Sequence, residues 1–200
     1  MHGPVKIALC EMAPGHERCM YCGDNQGTDV DHFEPMRRSP LRTFDWLNHL
    51  LACSLCNSHK KRDRFPVDAA GSPMLIDPTT DDPDEHLFLS LATGVYRART
   101  DKGRHAIDVY DLNRDVLVDG RASARWVLAS LFREWESARS REYWTRMDRI
   151  ADTVRGQPFA DGCQAMLRQA VLQGASVIFE DDPDLAALLL SEPLRAVFLR

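Results

Sequence analysis

Between residues 19 and 66 the hydrophobic positions are short and broken. Val30 and Phe33 mark a brief strand after the polar loop 23–27, Pro35 and Pro40 interrupt the chain beyond it, and 46–51 is apolar enough to be buried. Residues 53–62 read as a helix that stops before Phe65 and Pro66, and 67–84, with Gly71, Pro73, Pro78 and Pro83, read as loop. Three strand-like runs come next, 87–91, 95–99 and 106–112, with turns at Gly94 and at 101–103, so a small antiparallel β meander is expected. From Leu117 the period becomes helical. Leu117, Trp126, Val127, Leu131, Trp135, Trp144, Met147 and Ile150 predict one long helix, or two joined near Ser140, with Asn113 as N-cap and Gly156 and Pro158 as the stop. Residues 164–179 and 184–190 read as further helices. Trp126, Trp135 and Trp144 are expected in the core rather than as a stacking platform for bases, although a spacing of nine does not keep them on one helical face. Residues 1–18 read as a lead-in with a turn at Pro14 and Gly15.

Composition narrows the class. The 200 residues are 44% hydrophobic and 28% charged, which excludes a disordered or fibrous chain. No apolar run approaches the ~18 residues of a membrane span. The opening residues 1–6 lack the basic start and long apolar stretch of a secretory signal, so a soluble cytoplasmic protein is expected. Net charge is −5, which argues against a surface basic throughout. Yet residues 36–64 hold seven Lys or Arg against two acids, Asp45 and Asp63, while 161–192 hold six acids against Arg168 alone. Positive charge is concentrated in one place.

That place is bounded by cysteines. Cys19-x-x-Cys22 and Cys53-x-x-Cys56 are two pairs separated by 30 residues. A two-residue spacer lets two thiolates converge on one ion, and two such turns complete a tetrahedral site, so structural Zn²⁺ is expected on all four. The alternatives are disulfides, disfavoured without an export signal, or a redox pair, which leaves the second pair unexplained. Cys10 and Cys163 read as small buried hydrophobes.

Within and beside the loop that these cysteines close lie Asp31-His32-Phe33-Glu34-Pro35, Asn48, and Asn57-Ser58-His59-Lys60. They offer a hard metal ligand (Asp31), a titratable base (His32), and amide or imidazole ligands (Asn48, Asn57, His59). Paired Cys-x-x-Cys, Asp-His followed by Pro, a central Asn-x-Leu and a Cys-x-x-Cys-Asn-x-x-Lys ending together resemble the HNH endonuclease superfamily. The similarity covers about 19–66. A weaker likeness, at 75–78, Asp82-Pro83, 112–114, Leu117 and Arg121, extends it to a bacterial branch that includes nucleases acting beside an ATPase in anti-phage defence.

The resemblance implies an α+β protein: a zinc-stabilised ββα-metal module at 19–66, loop and meander at 67–112, and a mainly helical C-terminal region at 113–200. It implies metal-dependent phosphodiester hydrolysis, most of all of DNA, with RNA left open, and an ATPase partner. His32 would act as base, and Asp31 with Asn57 would hold a single Mg²⁺ or Mn²⁺, His59 being the less favoured ligand. Asn48 would hold the loop. Arg37, Arg38, Lys60, Lys61 and Arg62 would contact phosphates. Asn57 also reads as a helix N-cap, and Lys60 to Arg64 as a solvated face. Adjacent strand residues point to opposite faces, so Asp31 and His32 share a site only at an irregular strand end or bulge. The rival function is a non-catalytic zinc-knuckle protein that binds nucleic acid or an ATPase.

Overall fold

The computed structural model describes residues 3–13 and 15–199; the turn expected at Pro14 and Gly15 lies partly outside them. The chain divides into two units. The first comprises 1–88 and 96–117, and the second 89–95 and 118–200.

The first unit carries the ββα order. Strand β1 (Asp29–His32) pairs antiparallel with β2 (His49–Ala52), Asp29 opposite Ala52 and His32 opposite His49. A helical turn, Leu55–Lys61, begins within the second cysteine pair and contains Cys56. It is wider than an α-helix, with Arg62 N–H donating to the Asn57 carbonyl at 2.8 Å, an i to i−5 bond of the kind found at functional sites. The lead-in is itself a helix, α1 (Gly3–Met12). Its Leu9, with Ala13, packs on Leu51 of β2.

After a short helix α2 (Pro83–His86), β3 (Leu87–Leu89) pairs with β4 (Tyr96–Ala98). The expected third strand of the meander is instead helix α3 (Asp101–Tyr110). Ala106, Val109 and Tyr110 all face inward, positions three and four apart, and the Thr100 hydroxyl caps the helix by accepting from Gly103 N–H. Gly103 has no alternative: a Cβ there would sit 2.0 Å from the His86 carbonyl oxygen. The run 46–51 is also divided. Leu50 and Leu51 are buried in β2, whereas Trp46 and Leu47 face solvent.

The second unit is helical, as expected. Helices α4 (Asp115–Ser140) and α5 (Trp144–Gly156) break where the sequence predicts. Asn113 is not the cap of α4. Its amide instead donates to the Tyr96 carbonyl and accepts from Tyr96 N–H, both at 2.8 Å, within the first unit. The expected helix over 164–179 is two pieces, α6 (Asp161–Gln169) and α7 (Ala175–Ile178), succeeded by α8 (Pro183–Leu189) and α9 (Glu192–Phe198). Phe132 and Trp135 of α4 meet Phe198 of α9 edge to face at 5.3 and 5.6 Å. Each such ring buried contributes about 1.5–3 kcal/mol. Trp135 is therefore core, but Trp126 and Trp144 are 61% and 63% exposed, against expectation. Nine residues is two and a half turns, so burying Trp135 turns Trp126 to solvent on the same helix. Among the described residues no helix is long and apolar enough to cross a membrane.

Candidate functional site

The two cysteine pairs flank the strands. Cys19 and Cys22 sit in a turn before β1, closed by Gly23 N–H to the Cys19 carbonyl, with Gly23 at φ +79°. Cys53 and Cys56 come directly after β2, where Cys56 N–H points at the Cys53 sulfur at 3.4 Å. All four are buried, their sulfurs within 4.8 Å of one another, and Cys22 and Cys53 are 3.9 Å apart. A Zn–S bond of ≈ 2.3 Å in a tetrahedron places sulfurs roughly 3.8 Å apart, so the cluster fits a structural metal ion. The four sulfurs share their protons unequally, their mutual hydrogen bonds holding Cys53 well below the ordinary thiol range and Cys22 and Cys56 well above it, whereas metal binding requires thiolates. Both terminal nitrogens of Arg114 lie 3.9 Å from the Cys56 sulfur. Burial works against that guanidinium's charge, but the Cys56 and Cys22 sulfurs outweigh it and hold it cationic.

The first knuckle also reaches Asp31. Tyr21, between Cys19 and Cys22, donates its hydroxyl to Asp31 Oδ2 at 2.5 Å and stacks on Tyr110 with ring centroids 4.1 Å apart. Burial first, then Tyr110 and the Asp31 carboxylate, push the Tyr21 phenol well above its ordinary value, so it remains a donor. The same Oδ2 receives Lys61 Nζ at 2.8 Å, and Lys61 Nζ also donates to the His32 carbonyl at 2.6 Å. Both bonds fall on Oδ2.

His32 ends β1. Its Nε2 lies 3.3 Å from the Thr43 carbonyl oxygen, and its ring is 4.7 Å from that of His49, its partner across the strands. A carbonyl only accepts, so the neutral ring bonded this way carries its proton on Nε2 and has Nδ1 as its basic nitrogen. The pairing is regular through His32, and Phe33 N–H bonds the Asn48 carbonyl just beyond it. Asp31 and His32 therefore reach one cleft from the end of the strand, without a bulge.

Asn48 is fully buried. Its Oδ1 accepts from Glu34 N–H at 2.8 Å, and its Nδ2 donates to the carbonyls of Glu34 and Arg42, both at 3.1 Å. It thereby ties both ends of the loop over His32. Glu34 adds Ser39 and Arg42. Burial raises its carboxyl, but those two bonds prevail and hold it below the usual range.

A cleft of about 470 Å³ is lined by Asp31, His32, Arg37, Asn57, Ser58 and Arg62, among others. Asn57 Nδ2 also lies 3.3 Å from Asp29 Oδ2. His59 points elsewhere: it is exposed, does not line the cleft, and its Nδ1 lies 3.1 Å from the Ser54 carbonyl oxygen. The basic residues separate. Arg37 is exposed and pairs with Asp63, Arg38 with Glu34 and Lys60 with Asp111, while Arg62 sits at φ +52° on the cleft wall.

Lys61 is a correction. It has no exposed surface, so it cannot touch a phosphate, and its charge is spent on Asp31. Sequence pattern alone does not reveal this role, nor those of Tyr21 and His49. Only the adjacency of Lys60 and Lys61 hints that one of the two faces inward. Lys61→Met should cost about 3–5 kcal/mol by leaving Asp31 buried without its cation. Lys60→Met removes an exposed pair worth ~0–1 kcal/mol. Denaturant midpoints of the two variants measure the difference, and equal losses would contradict the buried pair.

A family model described as HNH endonuclease matches residues 19–63. Among curated proteins the chain is similar to the Septu protein PtuB of Bacillus mycoides (strain KBAB4), with 28% identity over 148 residues, 59% of this chain and 50% of that protein. The chain thus spans about half the length of the curated relative that it matches. No solved structure matches it significantly. The two knuckles, the two antiparallel strands and the helix after them all lie inside the span that the family model covers, so residues 19–63 form a segment similar to the HNH endonuclease family.

Proposed function

We propose that the protein is a metal-dependent endonuclease that hydrolyses phosphodiester bonds in DNA. The observation that carries the reading is the convergence of Asp31, His32 and Asn57 on one cleft beside the four-cysteine cluster. Cys19, Cys22, Cys53 and Cys56 would hold Zn²⁺ as a brace. Asp31 and Asn57 supply hard oxygen ligands that suit Mg²⁺ or Mn²⁺, ions that complete their shells with water and phosphate oxygens. The chemistry supplied by a divalent ion there is neutralisation of charge on the phosphate and the leaving oxygen.

His32 takes a proton from the attacking water at Nδ1, its ring held by the Thr43 carbonyl. Asn48 keeps that carbonyl's loop closed. Arg37 and Arg62 on the cleft wall bind flanking phosphates. Catalysis is assigned to 19–66, and the helical region at 113–200 is left for substrate or partner. Likeness to a Septu protein supports a role in anti-phage defence, and the partner we assign to it is an ATPase. One observation favours the non-catalytic alternative: Asp31 Oδ2 already takes bonds from Tyr21 and Lys61.

Plasmid cleavage in Mg²⁺, in Mn²⁺ and with EDTA separates the two readings. Cutting that requires the ion supports the nuclease, and an intact plasmid in every condition rejects it. In the same assay Asn57→Ala should raise the metal concentration needed for cutting, Asn57→His should keep activity, and His59→Ala should change little. Loss of metal-dependent cutting in His59→Ala, with Asn57→Ala unaffected, would reverse the ligand assignment.

A further inference from the structure

The loop between β1 and β2 exposes large apolar side chains where a soluble surface seldom carries them. Leu41 is 94% exposed and Phe44 81%, with Met36 and Leu47 more than half exposed beside them. The loop that carries them is braced. Pro40–Phe44 form a 3-10 turn, Asn48 bonds the carbonyls of Glu34 and Arg42, and Glu34 binds Arg38, Ser39 and Arg42. Asp45 caps the next turn through Leu47 N–H. Leu41 and Phe44 are therefore held outward by the polar bonds that brace the loop.

Their place in the chain matters. They lie two residues before and one after Thr43, whose carbonyl oxygen is 3.3 Å from His32 Nε2. Leu41 and Phe44 do not line the cleft itself, but their turn backs the His32 ring, within reach of a duplex whose phosphate meets that ring. Arg37 and Arg62 on the cleft wall add charge that attracts phosphate. A partner protein covering Leu41 and Phe44 would block the same approach, so the observations favour nucleic acid as the occupant. Leu and Phe side chains inserted between base steps unstack them and kink the duplex, and the apolar base faces replace water around the side chain.

We propose that Leu41 and Phe44 form an apolar wedge that enters duplex DNA beside the scissile phosphate, a reading that rests on the nuclease assignment above. The wedge would open the helix locally and fix the phosphate against His32.

The test uses the full zinc-loaded chain carrying His32→Ala, so that no cutting intervenes. Its ligands are short duplexes with 2-aminopurine, whose fluorescence rises on unstacking, at successive positions. Binding should raise the signal at one or two neighbouring positions. Adding Leu41→Ser and Phe44→Ser should remove most of the rise and weaken binding roughly tenfold or more. Leu41→Met with Phe44→Leu, still apolar, should keep both. No rise at any position overturns the wedge. So does a serine variant that binds and unstacks DNA as before, which would assign the patch to a protein contact. A protein that unstacks duplexes through this turn but leaves plasmid intact with its native His32 sinks the nuclease reading and leaves the wedge standing. One that cuts plasmid without raising the signal does the reverse.

Discussion

His32→Ala is expected to lower plasmid cleavage by about 10²–10⁴-fold, the usual loss when a positioned general base is removed, while zinc content and helical signal stay unchanged. The separation arises from where the ring sits. His32 is the last residue of β1, touching the Thr43 carbonyl and the ring of His49. None of the four sulfurs depends on it. Its backbone, which carries the Phe33 side of the strand and the carbonyl bonded by Lys61, survives the substitution. Zinc content by elemental analysis and circular dichroism on the same preparation distinguish lost chemistry from lost fold. A His32→Ala protein that cuts at the wild-type rate would remove His32 from the reaction.

Cys56→Ser is expected to empty the metal cluster and to cost the first unit its fold. Structural zinc is worth ~10–16 kcal/mol in small peptides, comparable with the roughly 5–15 kcal/mol by which a whole domain is usually stable. Here the loss has several routes. Cys56 is fully buried, faces Arg114, and opens the turn that carries Asn57 and Lys61. Without a thiolate at that position Arg114 loses its counter-charge and Lys61 loses the backbone that aims it at Asp31. Soluble yield, bound zinc and cleavage should fall together. Native protein that is folded and free of zinc on elemental analysis would contradict the assignment, and a strong chelator should reproduce the Cys56→Ser phenotype on the native chain.

The cysteine framework was legible because thiolate spacing states its geometry directly: two residues between partners leave few other uses for four buried sulfurs. The pattern showed one strand near Val30 and a helix after Cys53; the second strand, at 49–52, lay inside a run read only as buried, and the strand–strand–helix order came from the resemblance. Segment 106–112 was not. Ala106, Ile107, Val109, Tyr110 and Leu112 satisfy a strand's alternation and a helix's three-and-four spacing about equally. What decides between them is Thr100 as cap and the close approach of Gly103 to His86, both outside the run. Lys61 was illegible on other grounds. A lysine is buried only when a partner awaits it, and its partner, Asp31, lies 30 residues earlier in the sequence and across the fold. Nothing in the sequence singles out Leu41 and Phe44; their exposure follows from the turn that Asn48 fixes beneath them.

Arg114 lies 58 residues after Cys56, and Tyr110, which stacks on Tyr21, comes only slightly sooner. During synthesis the four cysteines therefore leave the ribosome well before the groups that complete their surroundings. At ≈ 5–20 residues per second the interval is roughly 3–12 s. Throughout it the cluster can hold an ion, while Tyr21 lacks its stacking partner and so holds Asp31 less firmly. A nascent chain of this design carries its cleft residues early and gains their final alignment late. The segment 19–63, released alone, would remain at that earlier stage.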